Sequence, residues 1–207
     1  MIHLITYGNV IFSNSKKRLY NEAKATNWFD SITLYGPEML SKDFKNKFNS
    51  ILCKERGAGY WIWKFDIIFQ ELNKMQDNDI LIYLDSGCSI NSNAKTRFLQ
   101  YIDMLNNSDE SMISFQLPHQ EKKYSIQEIG KLLEIDSTDK VFDTGQLVAT
   151  VLIMKKHDKT KYILNKCIEL LTKDKLIITD EYNKKNQLES FIDNRHDQSI
   201  LSLVRKK

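Results

Sequence analysis

The chain has 207 residues, 42% of them hydrophobic, enough to bury the core of one compact α/β domain and too few for two comfortable ones. Thirty basic against 27 acidic side chains leave a net charge of +3, with no dense basic arm beyond Arg205-Lys206-Lys207, which argues against nucleic acid as a partner and suits a small anionic ligand. Cys53, Cys88 and Cys167 have neither zinc-knuckle nor CxxC spacing and point to a reducing cytoplasm, and no stretch reaches the roughly 18 apolar residues of a membrane span, so any membrane contact is expected to be peripheral.

In chain order, residues 2–7 read as a short strand ended by the turn pair Gly8-Asn9, and Ser13 is placed to cap a helix carrying Leu19 through Trp28. A second strand spans 31–35 and broken helix 37–53. Residues 56–59, RGAG, form a flexible loop into a helix over 63–76, where Trp63, Ile67, Leu72 and Met75 recur near helical spacing. Residues 79–84 are the clearest strand, apolar almost throughout as a central strand covered on both faces should be. Helix over 93–105, strand 111–116, helix 125–135, strand 146–154, helix 158–173 and a last helix 196–205 follow. This alternation predicts one domain over 1–207, with a mostly parallel sheet flanked by helices on both faces.

The central strand exits on Asp85, Ser86 and Gly87. Ligands of open α/β sheets gather beyond the carboxyl ends of the strands. A carboxylate there can accept from a ribose or hold a divalent cation against a diphosphate, Ser86 adds a hydroxyl, and Gly87 admits close approach of the backbone and a positive φ. An acid leaving a strand also caps turns, so Asp85 has to be read with its company.

Residues 56–64, RGAGYWIWK, set two cations and three aromatic rings around two glycines. Arg56 can pair with phosphate oxygens through two N–H groups, Lys64 can meet them as a point charge, and Tyr60 or Trp61 can stack on a nucleobase; the tryptophans can equally be core. Before the last helix stand Asn194, Arg195, His196, Asp197 and Gln198. His196 offers an imidazole to a metal or a donor to phosphate, and Asp197 is either a helix cap or a general base, with Asp143 and Glu121 as other candidates for that base. His119 and Gln116 could reach a sugar from the strand 111–116, and Gln146 either binds sugar hydroxyls or satisfies backbone.

Taken together, GYWIWK (59–64), ILIYLDSGCSI (80–90) and RHDQSILSLV (195–204), with PHQEKKYS (118–125) and TGQLVATVLIMKK (144–156), resemble small GT-A-type nucleotide-sugar glycosyltransferases of bacterial polysaccharide clusters and large DNA viruses. The resemblance covers nearly the whole chain. It implies a Rossmann-like GT-A sheet and hexosyltransferase-like transfer from a nucleotide-sugar donor to a glycan or lipid-linked acceptor, as in polysaccharide biosynthesis, with Mn²⁺ or Mg²⁺ as cofactor. It implies catalytic roles for Asp85 and Asp197, and donor contacts from Tyr7, Arg56, Tyr60, Trp61, Lys64, Ser86, Gly87 and Gln146. Gly87 stands where the second acid of the family's DxD motif would be, so either Asp85 and a partner such as His196 share the metal ion, or Arg56 and Lys64 do the neutralising. A sugar nucleotidyltransferase and a nucleotide-sugar or glycan binding module without turnover stay open as other readings.

Overall fold

The computed structural model describes residues 1–185 and 187–207. In chain order its elements are β1 (Ile2–Tyr7), α1 (Ser13–Thr26), β2 (Ser31–Tyr35), α2 (Lys42–Leu52), the single turn α3 (Gly57–Tyr60), α4 (Trp63–Lys74), β3 (Ile80–Leu84), α5 (Lys95–Asn106), β4 (Met112–Ile113), β5 (Gln116–Gln120), α6 (Glu121–Tyr124), α7 (Gln127–Leu132), β6 (Gly145–Leu147), β7 (Val151–Lys155), α8 (Asp158–Lys173) and α9 (Asp197–Lys206). They fall into two compact units, one made of residues 1–41, 66–114 and 150–161, the other of 42–65, 115–149 and 162–207.

The first unit is a five-stranded sheet in the order β2-β1-β3-β7-β4. β2, β1 and β3 are parallel, with Leu4 between Ile32 and Ile82; β7 runs antiparallel to β3, and β4 antiparallel to β7, so four of the five strands point one way. Successive side chains of a strand face opposite sides of the sheet. All five residues of β3 are buried, as are the last five of β1, so these strands are covered on both faces. That is the α/β class expected from the alternation of elements. α1 buries Leu19 and Ala23, four residues apart on one face, and ends on Asn27 with φ 55°, a left-handed cap that asparagine tolerates. Ser13 is already helical; the cap belongs to the turn before it, where the Asn9 side chain accepts from the Ile11 N–H at 3.1 Å.

The second unit holds the pair β5–β6 and α9, whose Ile200, Leu201 and Leu203 are almost completely buried. Glu121, with no exposure at all, accepts from Ser125 at 2.5 Å, from Lys206 at 2.7 Å and from the Ser202 hydroxyl, so its charge is balanced and each oxygen has a donor.

Two apolar runs expected as single strands each divide. The run 111–116 gives β4 and opens β5, while 146–154 gives most of β6 and β7 with a break at Val148–Thr150. The Val148 N–H donates to Phe115 O at 2.9 Å beside the break, and each run thereby supplies one strand to each sheet. Hydrophobicity records that such a run is buried and does not record a change of partner strand.

A Cβ on Gly145 would stand 1.8 Å from the carbonyl oxygen of Leu117. Since β5 cannot yield without losing its pairing, Gly145→Ala is expected to destabilise the protein by about 2 kcal/mol or more, measured by urea unfolding.

Candidate functional site

In the first unit the chain leaves β1 toward β2 on one side while β3 lies on the other. The carboxyl ends of β1 and β3 therefore flank the reversal of strand order, where a crevice opens in sheets of this kind. Tyr7 and Gly8 stand at one end, Asp85 and Ser86 at the other. Asp85 is half-buried, its carboxylate accepts from the Tyr83 hydroxyl, and its N–H donates to Thr150 O at 2.9 Å. Cys88 N–H returns to Asp85 O at 2.9 Å, closing a tight turn. Tyr7 is buried, and that burial, followed by the nearby Glu38 charge, pushes its phenol up to about 12. Lys16 ties the ends of β1 and β2 by donating to Gly8 O and Tyr35 O, both at 2.9 Å.

Gly87 is exposed, and a Cβ there would meet nothing within 4 Å. The positive φ expected of it is not adopted: among the described glycines, Gly57 and Gly59 have that geometry. What glycine provides at 87 is room. Sequence reasoning missed Arg18. From α1 its guanidinium donates to the carbonyls of Ser86 (3.3 Å), Gly87 (3.4 Å) and Cys88 (2.9 Å), to the Ser89 hydroxyl (2.8 Å) and to Glu22 (2.7 Å). Glu22 in turn accepts from the Ile90 N–H at 2.9 Å, which together with Arg18 holds its carboxyl below the usual range.

In the second unit the RGAGYWIWK and RHDQS stretches come together. Gly57, Ala58, Gly59, Tyr60 and Trp61 all have positive φ, between 51° and 96°. With Tyr60 N–H donating to Arg56 O at 2.7 Å and Trp61 N–H to Gly57 O at 3.2 Å, they form one turn of left-handed helix. Residues of L configuration resist this by about 1–2 kcal/mol each, so Ala58, Tyr60 and Trp61 are held there by their surroundings. Trp63 buries its ring and donates from Nε1 to Gly57 O at 2.9 Å. The Tyr60 and Trp61 rings, half-buried, lie against the His196 imidazole at centroid distances of 5.0 and 5.4 Å.

His196 is 3% exposed and has φ 57°, ψ −121°, a conformation rare outside glycine. Its Nδ1 lies 2.8 Å from Ile178 O, a carbonyl that only accepts, so the proton sits on Nδ1. Nε2 has no hydrogen-bond partner among the described residues and stands 3.7 Å from Asp180 Oδ1. Burial, more than any neighbouring charge, lowers the pKa and keeps the ring neutral. Arg56 grips both oxygens of Asp180, at 2.8 and 2.9 Å, and reaches Asp193 at 3.6 Å; the Tyr60 hydroxyl donates to Asp180 at 3.1 Å.

Lys64 and Asp197, expected at phosphate and acceptor, form a buried ion pair, and Lys64 also donates to Ala149 O at 3.0 Å. Gln146 is fully buried: its amide donates to Tyr124 O, Ser125 and Ser199, and its carbonyl accepts from Gln198 at 2.8 Å. Of the other base candidates, Asp143 is paired with Lys122 at 2.7 Å and Glu121 is the buried carboxylate under Lys206. His119 and Gln116 are exposed on β5. Among the described residues no three His, Cys, Asp or Glu side chains gather so as to hold a metal ion. Each unit offers a single expected ligand, Asp85 in the first and His196 in the second. No helix of the described residues is long and apolar enough to cross a membrane.

No protein-family model and no curated protein matches the sequence. Among solved structures the chain is similar to a glycosyltransferase involved in glycosylation of the major capsid of PBCV-1, with 13% identity over 93% of this chain and 81% of that one and a TM-score of 0.46. It is also similar to the glycosyltransferase GlyE of Streptococcus pneumoniae TIGR4, with 13% identity, 99% and 43% coverage and TM-score 0.44, and to the galactosyltransferase LgtC, with 12% identity, 96% and 69% coverage and TM-score 0.41.

Two outcomes follow from the buried charges. Lys64→Met takes a buried cation away from the Asp197 carboxylate and should cost roughly 3–5 kcal/mol in urea unfolding, with Lys64→Met/Asp197→Leu recovering part of the loss. The folded-state pKa of His196 lies below its ordinary 6.5, so the stability linked to it is fully present above that pH and is lost as the pH falls from there toward the folded value. The melting temperature should therefore drop between about pH 7.5 and pH 5.5 in the wild type and drop less in His196→Gln.

Proposed function

We propose that the chain is a glycosyltransferase that moves a sugar from a nucleotide-diphospho-sugar to a hydroxyl of a glycan or lipid-linked acceptor. The observation that supports this reading is the half-buried Asp85 carboxylate beside open space over Gly87, at the reversal of strand order between β1 and β3. In the reaction the acceptor oxygen bonds to the anomeric carbon as the bond from that carbon to the diphosphate oxygen breaks. The electron pair leaves on the diphosphate, and the acceptor proton passes to a base.

In this reading Asp85 accepts from the ribose or faces a cation, Ser86 adds a hydroxyl, and Gly87 leaves the diphosphate room to approach the main chain. Tyr7, buried at the end of β1, shapes the floor of the crevice. A divalent cation, Mn²⁺ or Mg²⁺, would supply neutralisation of the leaving diphosphate, with Asp85 as its protein ligand and the phosphates as the rest of its grip. In the second unit, the half-exposed Tyr60 and Trp61 are assigned to stacking on a sugar or base, and Arg56 to phosphate or sugar oxygens. Lys64, Asp197 and Gln146, committed to partners in the interior, are assigned to holding the start of α9, and through it His196, in place.

A thermal-shift screen of nucleoside diphosphates and nucleotide sugars, with and without Mn²⁺, tests this. With one carboxylate for the cation, Mn²⁺ alone should leave the melting temperature unchanged, and Mn²⁺ with the matching nucleotide should raise it. Asp85→Asn should keep the fold and lower transfer roughly a hundredfold. Nucleotide binding without transfer or donor hydrolysis would make the chain a binding module, and exchange of pyrophosphate into a nucleoside triphosphate would make it a nucleotidyltransferase.

A further inference from the structure

We infer that Arg18 is a positioning residue of the donor site, one that turns two main-chain N–H groups of the Asp85 loop toward the donor's phosphates; this rests on the reading of Asp85 given above. The carbonyls of Ser86, Gly87 and Cys88 all point to one guanidinium, which the Ser89 hydroxyl and Glu22 hold from its other nitrogen. Glu22 fixes the far end of the same loop through the Ile90 N–H. One helix side chain and its neighbour a turn later thus hold every residue from 86 to 90.

Peptide planarity gives this grip a direction. In a trans peptide the N–H lies opposite the preceding C=O. With the Ser86 and Cys88 carbonyls aimed at Arg18, the Gly87 and Ser89 N–H groups are aimed away from it. Neither has a partner among the described residues, whereas the N–H between them, on Cys88, closes the turn onto Asp85 O. Both residues are exposed, and no side chain occupies the space over Gly87. A pair of outward N–H groups is an anion contact. Three carbonyl oxygens facing the same way would instead repel a diphosphate, so the guanidinium both presents the donors and withdraws the acceptors. Lysine cannot do the same, because its single ammonium has no second nitrogen to hold the Ser89 hydroxyl and Glu22, as Nη1 does, while the first meets the three carbonyls, as Nη2 does.

The test is steady-state kinetics and nucleotide binding by wild type, Arg18→Ala, Arg18→Lys and Asp85→Asn, using UDP, GDP, ADP and CDP with Mn²⁺ as binding probes, together with hydrogen exchange of the wild-type amides. Arg18→Ala should raise the donor KM and the nucleotide Kd about tenfold or more while the acceptor KM stays put, and Arg18→Lys should recover only part. In the wild type, nucleotide should slow exchange at Gly87 and Ser89. A merely structural role would lower kcat in proportion to the folded fraction and leave KM unchanged, and that result, or unprotected amides at 87 and 89 under saturating nucleotide, overturns the inference while Asp85→Asn still reports on the donor site. If wild type binds none of the four nucleotides, the donor reading itself fails and takes the inference with it. Should Arg18→Ala not fold, Arg18→Lys and the wild-type exchange decide.

Discussion

A strand buried on both faces has to place every polar group at its exit within a few residues, and much of the first unit answers to that requirement at the end of β3. The Tyr83 hydroxyl turns to Asp85, the Asp85 N–H finds Thr150 across the antiparallel neighbour, and the Cys88 N–H folds back onto Asp85. The carbonyls that remain would be left to water were it not for a guanidinium from α1. The loop that carries the half-buried carboxylate is thereby fixed through its main chain, while a side chain at Gly87 would meet nothing within 4 Å. Rigidity on one side of the loop and vacancy on the other is the arrangement a ligand needs.

The second unit handles a different demand. Its left-handed turn and the strained His196 backbone are each unfavourable alone, and they are stabilised against each other. The Tyr60 and Trp61 rings cover the imidazole, Asp180 receives Arg56 and Tyr60, and the buried pair of Lys64 with Asp197 pins the residue that follows His196. Strain of this sort persists where surrounding contacts over-determine it, which in enzymes is often near the chemistry. The imidazole kept neutral, with one nitrogen bound to Ile178 O and the other without a hydrogen-bond partner among the described residues, is the least expected product of that packing.

Much of the architecture was legible. β1, β2 and α8 have the bounds that apolar runs and turn residues predict, and the all-apolar 80–84 stretch is the central strand it resembles. Asp85 at its exit follows from the same reading. The two divided runs were not legible, because burial looks the same whichever sheet a residue joins. Trp63 proved core and Trp61 half-exposed, a distinction settled by a left-handed turn that only Gly57 and Gly59 hinted at. Lys64 and Asp197 meet across 133 positions, and a single sequence gives no sign of such a pairing. Arg18 was hidden in plain view: with Glu22 one turn further on, it already had an ordinary explanation as a helix-surface ion pair.

The left-handed turn also makes chirality a local design variable. At Ala58 the backbone sits where an L-methyl group is unwelcome and its mirror image would be at ease. Among the twenty genetically encoded residues glycine relaxes such a position most fully, and it does so at the expense of a floppier unfolded chain. A semisynthetic protein with D-alanine at 58 would escape both penalties, keeping the same atoms in the same turn with the handedness that its dihedral angles prefer.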